Sequence, residues 1–175
     1  MASVNNNIVM VPTGAATNAV PLFDGARWQT TVPNACRAKT TANQAVSDAT
    51  WTPVSLPAED FDTTGDMHDN TTNNSRVYGR VAGRALICAK AIFVNSSAAG
   101  VRAAQIRRNG TIEVAYANQT AVTTGDYPSM NPTAVIEVAN GDYFELWVAQ
   151  ISGGPIDLSG ANGNSWLALM VIPGT

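Results

Sequence analysis

From Ala35 onward, apolar and polar positions alternate with a period of two in short stretches, and no stretch of helical length holds a 3.6-residue period. "ALICAKAIFVN" sets Leu86, Cys88, Lys90, Ile92 and Val94 on one face and Ile87, Ala89, Ala91 and Phe93 on the other. One face is mixed and the other wholly apolar, which predicts a strand packed in a sandwich. "VRAAQIRRNGTIEVAYAN" alternates on both sides of Asn109–Gly110, a pair that tolerates positive φ at both positions and so predicts a hairpin. "PTAVIEV" and "YFELWVAQI" flank a turn at Asn140–Gly141–Asp142, and "WLALMVIPG" is apolar enough to predict a strand in the middle of a sheet. Glu137 and Glu145 are expected on solvated faces of adjacent strands.

About ten strands with frequent turns point to an all-β antiparallel sandwich or jelly roll. Residues 1–32 differ. They contain one short apolar run and two prolines, with a third at Pro33, without a sustained period, and read as an irregular arm preceding a domain at 33–175. The anchors expected in such an arm are Ile8, Val9, Met10, Val11, Leu22, Phe23 and Trp28.

Composition narrows the role. Hydrophobic residues make up 45% of the 175, charged residues only 13%, and the net charge is −3. Asn, Thr, Ser and Gln must therefore cover the surface, and with no basic cluster beyond Arg107–Arg108 a nucleic-acid partner is not expected. No apolar run reaches the roughly 20 residues of a membrane span, and a secretion signal is not expected from "MASVNNNIVMVPTG". Cys36 and Cys88 belong to no C-x-x-C pair and are expected to be two small buried strand residues rather than a disulfide or a reactive thiol.

The stretch "FDTTGDMHDNTTNNSR" holds Asp62, Asp66, Asp69, Gly65 and the single histidine, His68. A calcium loop would need closely spaced oxygens and a closing bidentate acid. Asp60, Asp62 and Gly65 copy part of that pattern, but Thr64 and Thr71 stand where acids belong. Asp62, Asp66 and Asp69 are a weak metal candidate beside the alternative of a turn capped by its own Asp and Asn side chains. No metal or other cofactor is expected. His68 lacks a positioned nucleophile and the chain has no G-x-S-x-G elbow, so no enzyme is expected.

The ordered set "FDTTGDMHD", "GVRAAQIRRNGT", "GDYFELWV" and the apolar last strand resembles the C1q/TNF-like jelly roll, more closely the C1q-like domains of bacteriophage and bacterial proteins. The likeness covers residues 35–173. It departs from the animal C1q signature at Ala85 and Ile87, where aromatics would follow Gly83, and no collagen-like stalk precedes the domain. The resemblance implies a homotrimer packed about a three-fold axis through one apolar sheet face. It further implies a non-enzymatic virion protein on the capsid surface, a head decoration or cement protein whose arm docks on the major capsid protein. The alternative is a receptor- or glycan-binding tip that would engage a host-surface glycan through Tyr127, Asn162 and Asn164. Arg102, Arg107 and Arg108 are expected to make cross-strand or intersubunit ion pairs.

Overall fold

The structure is a computed structural model that describes residues 20–23, 28–31, 33–94, 98–121 and 127–173. The chain divides into two compact units, Met1–Val32 and Pro33–Thr175. In the first, β1 (Val20–Phe23) pairs antiparallel with β2 (Trp28–Thr31), Phe23 opposite Trp28. The segment is thus not irregular throughout: each strand is four residues long, too short for an alternating pattern to register in the sequence.

The second unit runs through β3 (Asn34–Lys39), β4 (Gln44–Val46), β5 (Thr52–Pro53), β6 (Ala58–Asp62), β7 (Arg76–Tyr78), β8 (Gly83–Ile92) and β9 (Gly100–Arg108). It continues through β10 (Ile112–Ala121), β11 (Ser129–Met130), β12 (Thr133–Val138), β13 (Tyr143–Ile151), β14 (Ile156–Leu158) and β15 (Trp166–Pro173). One sheet has the order β11-β8-β15-β3-β6, with β12 also paired to β8. The other has the order β10-β9-β13-β5, with β7 also on β13. All these pairings are antiparallel, and β15 lies mid-sheet between β8 and β3. "ANQAVSDAT", the nearest sequence candidate for a helix, instead supplies β4, which pairs with β14.

The inner faces meet as the alternation requires. Ile87, Ala89, Ala91 and Phe93 of and just beyond β8, with Leu167, Leu169 and Val171 of β15, pack in one core with Phe144, Leu146 and Val148 of β13 and Ile106 of β9. Burying each large side chain here contributes about 1.5–3 kcal/mol. The β9–β10 hairpin turns at Asn109 (φ 52°) and Gly110 (φ 78°), the positive values that the Asn-Gly pair was read to supply.

Candidate functional site

With the inner faces spent on the core, any docking chemistry falls to the outer faces and loops, and the two outer faces are unlike. On the β12-β8-β15-β3 sheet, the register sets Val135 opposite Leu86, Leu86 opposite Met170, and Met170 opposite Ala35. This is one apolar row across four strands, with Val135 74% exposed, Leu86 40% and Met170 37%. Ile172, 54% exposed, lies two residues along β15 from Met170 on the same face. The two-sided apolar character of "AVIEV", residues 134–138, is consistent with such a face. Leu86, Met170 and Ile172 were not singled out, because their alignment depends on which strands become neighbours.

The outer face of the other sheet carries charges of alternating sign. Arg76 stands opposite Glu145, Glu145 opposite Arg107, and Arg107 opposite Glu113. Glu145 is 5% exposed and accepts from Arg76 Nε at 3.1 Å, Ser75 Oγ at 3.0 Å and Trp147 Nε1 at 3.1 Å. Arg107 lies 4.1 Å over the Trp147 ring and 5.5 Å from that of Trp51, and the Gln105 amide group lies between Glu113 and Arg107. The expectation of a solvated Glu145 is therefore overturned: it is buried under Arg76, Ser75 and Trp147, and it shares no sheet with Glu137. Glu137 is exposed.

The three arginines part ways as well. Arg102 is 1% exposed and donates to the Ala98 carbonyl at 2.8 Å and the Val101 carbonyl at 3.2 Å, so it offers nothing to an acidic partner. Arg107 serves the charge row. Arg108 donates to the Glu137 carbonyl at 3.3 Å and lies 3.9 Å from Asp142.

The acidic loop closes on itself. Asp62 Oδ1 accepts from the N–H of Thr64 at 3.0 Å and Gly65 at 2.9 Å, and from the Thr64 hydroxyl at 3.2 Å. Its Oδ2 accepts from the N–H of Met67 at 2.7 Å and His68 at 3.2 Å. Partial burial works against the Asp62 carboxylate, but the backbone donors of Gly65, Thr64 and Met67 outweigh it and hold the pKa below the usual range. Asp69 accepts from Thr72 and Thr71 N–H, both at 2.9 Å, and those bonds bring it down to about 2. Asp66 accepts from the Thr64 hydroxyl and pairs with Arg80 at 3.4 Å. Asp62, Asp66 and Asp69 therefore each close local turns and do not point to one shared centre. Among the described residues, the donors that approach within 4.8 Å of one another are those of Cys36, Glu59 and Asp62.

His68 is buried, and its Nε2 lies 3.1 Å from the Asn74 carbonyl. Both thiols are free. Cys36 is fully buried; burial first, then the charges of Asp62 and Glu59, push its pKa up to about 12.

The loops read as a tip converge on the end of β8. Phe93 N–H donates to the Pro128 carbonyl, next to Tyr127, and Ser159 N–H to the Ile92 carbonyl. Tyr127 is 62% exposed; Asn162 is exposed, and Asn164 donates its amide to the Ser159 hydroxyl at 3.0 Å. Of the arm residues, Leu22, Phe23 and Trp28 fall on the β1–β2 hairpin, while Ile8, Val9, Met10 and Val11 lie outside the described residues.

No family model matches the chain, and no curated protein matches it. Solved structures do. The chain is similar to Eiger TNF from S. frugiperda at 15% identity and TM-score 0.62, over 82% of this chain and 94% of that one. It is similar to murine APRIL at 13% identity and TM-score 0.57, over 80% and 99%. The globular domain of zebrafish complement 1qA follows at 12% identity and TM-score 0.55, over 82% and 99%. At such identities the likeness establishes architecture alone: an all-β, antiparallel C1q/TNF-like jelly roll.

Proposed function

We propose that the chain is a non-enzymatic homotrimeric module, and that it decorates a virion, clamped to the major capsid protein of the head shell through residues 1–32. The observation that carries self-association is the apolar row Val135–Leu86–Met170–Ala35, continued by Ile172. An exposed apolar strip that runs across four adjacent strands favours burial against copies of itself. The virion role rests on the phage-type resemblance of residues 35–173 and on a surface poor in charge. In this reading the trimer multiplies the affinity of each arm for the shell by avidity.

Sedimentation of the full chain tests the first part. The expected result is a trimer that Leu86→Arg and Val135→Arg each convert to a monomer with an unchanged circular dichroism spectrum. A monomeric wild type overturns it. Mixing with emptied virion shells tests the second part, with the chain lacking residues 1–32 expected to stay trimeric and unbound. The exposed Tyr127 supports a second reading, a glycan-binding tip. Glycan-array binding lost in Tyr127→Ala, with no shell binding, would replace the decoration role.

A further inference from the structure

The imidazole of His68 is left half-satisfied in a way that the turn around it does not explain. The Asn74 carbonyl can only accept, so Nε2 carries the ring proton in the neutral imidazole and Nδ1 presents a lone pair. That Nδ1 is buried with no hydrogen-bond partner, on a side chain with 0% exposure. It faces Glu59 Oε2 across 3.8 Å, and Oε2 is likewise buried without a partner. With the imidazole neutral, two buried acceptors face each other, an arrangement that a positive centre between them, a proton or a metal ion, relieves.

Glu59 is also the shared member of a second approach. Its carboxylate, the Cys36 thiol and the Asp62 carboxylate come within 4.8 Å of one another. The register explains why: β3 pairs with β6, setting Cys36 opposite Asp62 and Ala38 opposite Glu59 around a bulge at Arg37/Ala38. Asp62 has its oxygens engaged by five donors of the turn, so its part is to fix the backbone of Met67 and His68 and to add negative charge.

We propose that Cys36 Sγ, Glu59 Oε2 and His68 Nδ1 form a zinc site that fastens the 62–74 loop to the β3–β6 edge. The donor set selects the metal class. A thiolate and an imidazole suit zinc and its borderline neighbours, whereas calcium takes oxygen ligands only. Zinc bond lengths of about 2.0–2.3 Å put tetrahedral ligand atoms roughly 3.3–3.8 Å apart, so the Nδ1–Oε2 separation of 3.8 Å already fits, and drawing the Cys36 thiol toward that pair is the movement that binding requires. The Nε2–H···O=C bond to Asn74 is the outer-shell contact that orients a ligating histidine. On binding, the Cys36 S–H bond breaks, the S–Zn bond forms, and the proton leaves to solvent. The Glu59 side chain, 31% exposed, marks the route in and the side from which water would complete the four ligands. This site stands independently of the trimer and the virion role.

Cobalt(II) substitution of the chelator-treated full chain tests it. The expected result is one cobalt per chain, with a thiolate-to-metal absorption band near 300–350 nm that one equivalent of zinc abolishes. Cys88→Ser should leave the band intact, while Cys36→Ser should abolish it. Glu59→Gln and His68→Gln, which each remove a ligand, should weaken zinc binding by more than the roughly 10- to 100-fold that an outer-shell change brings. Zinc should raise the melting temperature of wild type but not of Glu59→Gln, a change on the exposed side of the cluster and thus the one least able to disturb the fold. Absence of the band, its survival in Cys36→Ser, or full-affinity zinc binding by folded Glu59→Gln would overturn the site.

Discussion

Arg76 Nε lies 3.1 Å from Glu145 Oε1 although 69 residues separate them in the chain. The pair joins β7 to β13 and starts the alternating row that ends at Glu113. Because Glu145 is nearly inaccessible, its oxygens depend on protein donors, and those donors depend on it. Glu145→Ala would leave the Ser75 hydroxyl and the Trp147 indole without this acceptor and take from Arg76 its carboxylate partner, though Arg76 keeps its place over the Tyr143 ring. We expect a loss of about 2–4 kcal/mol in chemical denaturation, with Glu145→Gln losing less because it keeps the volume and one carbonyl acceptor. Equal stability of Glu145→Ala and wild type would mean that the row is ornamental.

Gly160 sits where the 159–165 loop crosses the 40–43 segment. A Cβ there would come 1.7 Å from the Ala42 carbonyl oxygen, a backbone atom that cannot swing aside. The same residue donates its N–H to Asn43 Oδ1 at 3.0 Å and accepts from the Thr40 hydroxyl at 3.1 Å. Gly160→Ala should therefore cost at least about 1–3 kcal/mol, read as a lowered melting temperature. Gly154→Ala, with nothing near its missing Cβ, is the comparison expected to stay within about 0.5 kcal/mol.

The acidic loop gives a pH dependence with a definite sign. Asp62 and Asp69 are both held below the ordinary carboxylate range by backbone N–H donors, Asp69 to about 2. Such groups stabilise the fold fully above their unfolded pKa, about 4, and that contribution is lost as the pH falls through the folded value. Stability measured from pH 5 down to pH 2 should decline, and Asp69→Asn should flatten part of that decline. An unaltered acid limb in both Asp69→Asn and Asp62→Asn would refute the assignment.

Thiol chemistry separates the two sheet faces. Cys36 is buried in the core, while Cys88 is half-buried on the outer face, opposite Ala168 and Thr133, with its pKa raised by burial and only partly offset by Arg37. In the proposed trimer neither thiol should react with a disulfide reagent at pH 8. In Leu86→Arg, Cys88 should become reactive while Cys36 stays silent until the protein is unfolded. Rapid modification of Cys88 in wild type would argue that its face is open.

The sequence carried those features whose causes are local. Asn109–Gly110 specifies its own turn, and Asp62 and Asp69 accept from N–H groups within six residues, so a capped turn could be read directly from "FDTTGDMHD". Alternation likewise separated Ile87 from Leu86. What it could not supply was the neighbour across the strand. Glu145 looked solvated because its side of β13 faces away from the core. Only the pairing with β7 and β9 brings Arg76, Arg107 and the indole of Trp147 over it. The same holds for Val135, Leu86 and Met170, unremarkable singly and a strip only once β12, β8 and β15 lie side by side. His68 could be noticed as the single histidine, but its orphaned Nδ1 follows from Asn74 holding the other nitrogen and from Glu59 arriving on another strand.

β15 fills the centre of its sheet, between β8 and β3, yet follows both in the chain. Without it, β3 and β8 would each present an unpaired backbone edge, and the core would lack Leu167, Leu169 and Val171. Pairings this distant in sequence slow folding, and bare strand edges invite pairing with other chains. The interval before β15 inserts is therefore when misassembly competes with folding, and a chain cut short by one strand would keep both edges open indefinitely.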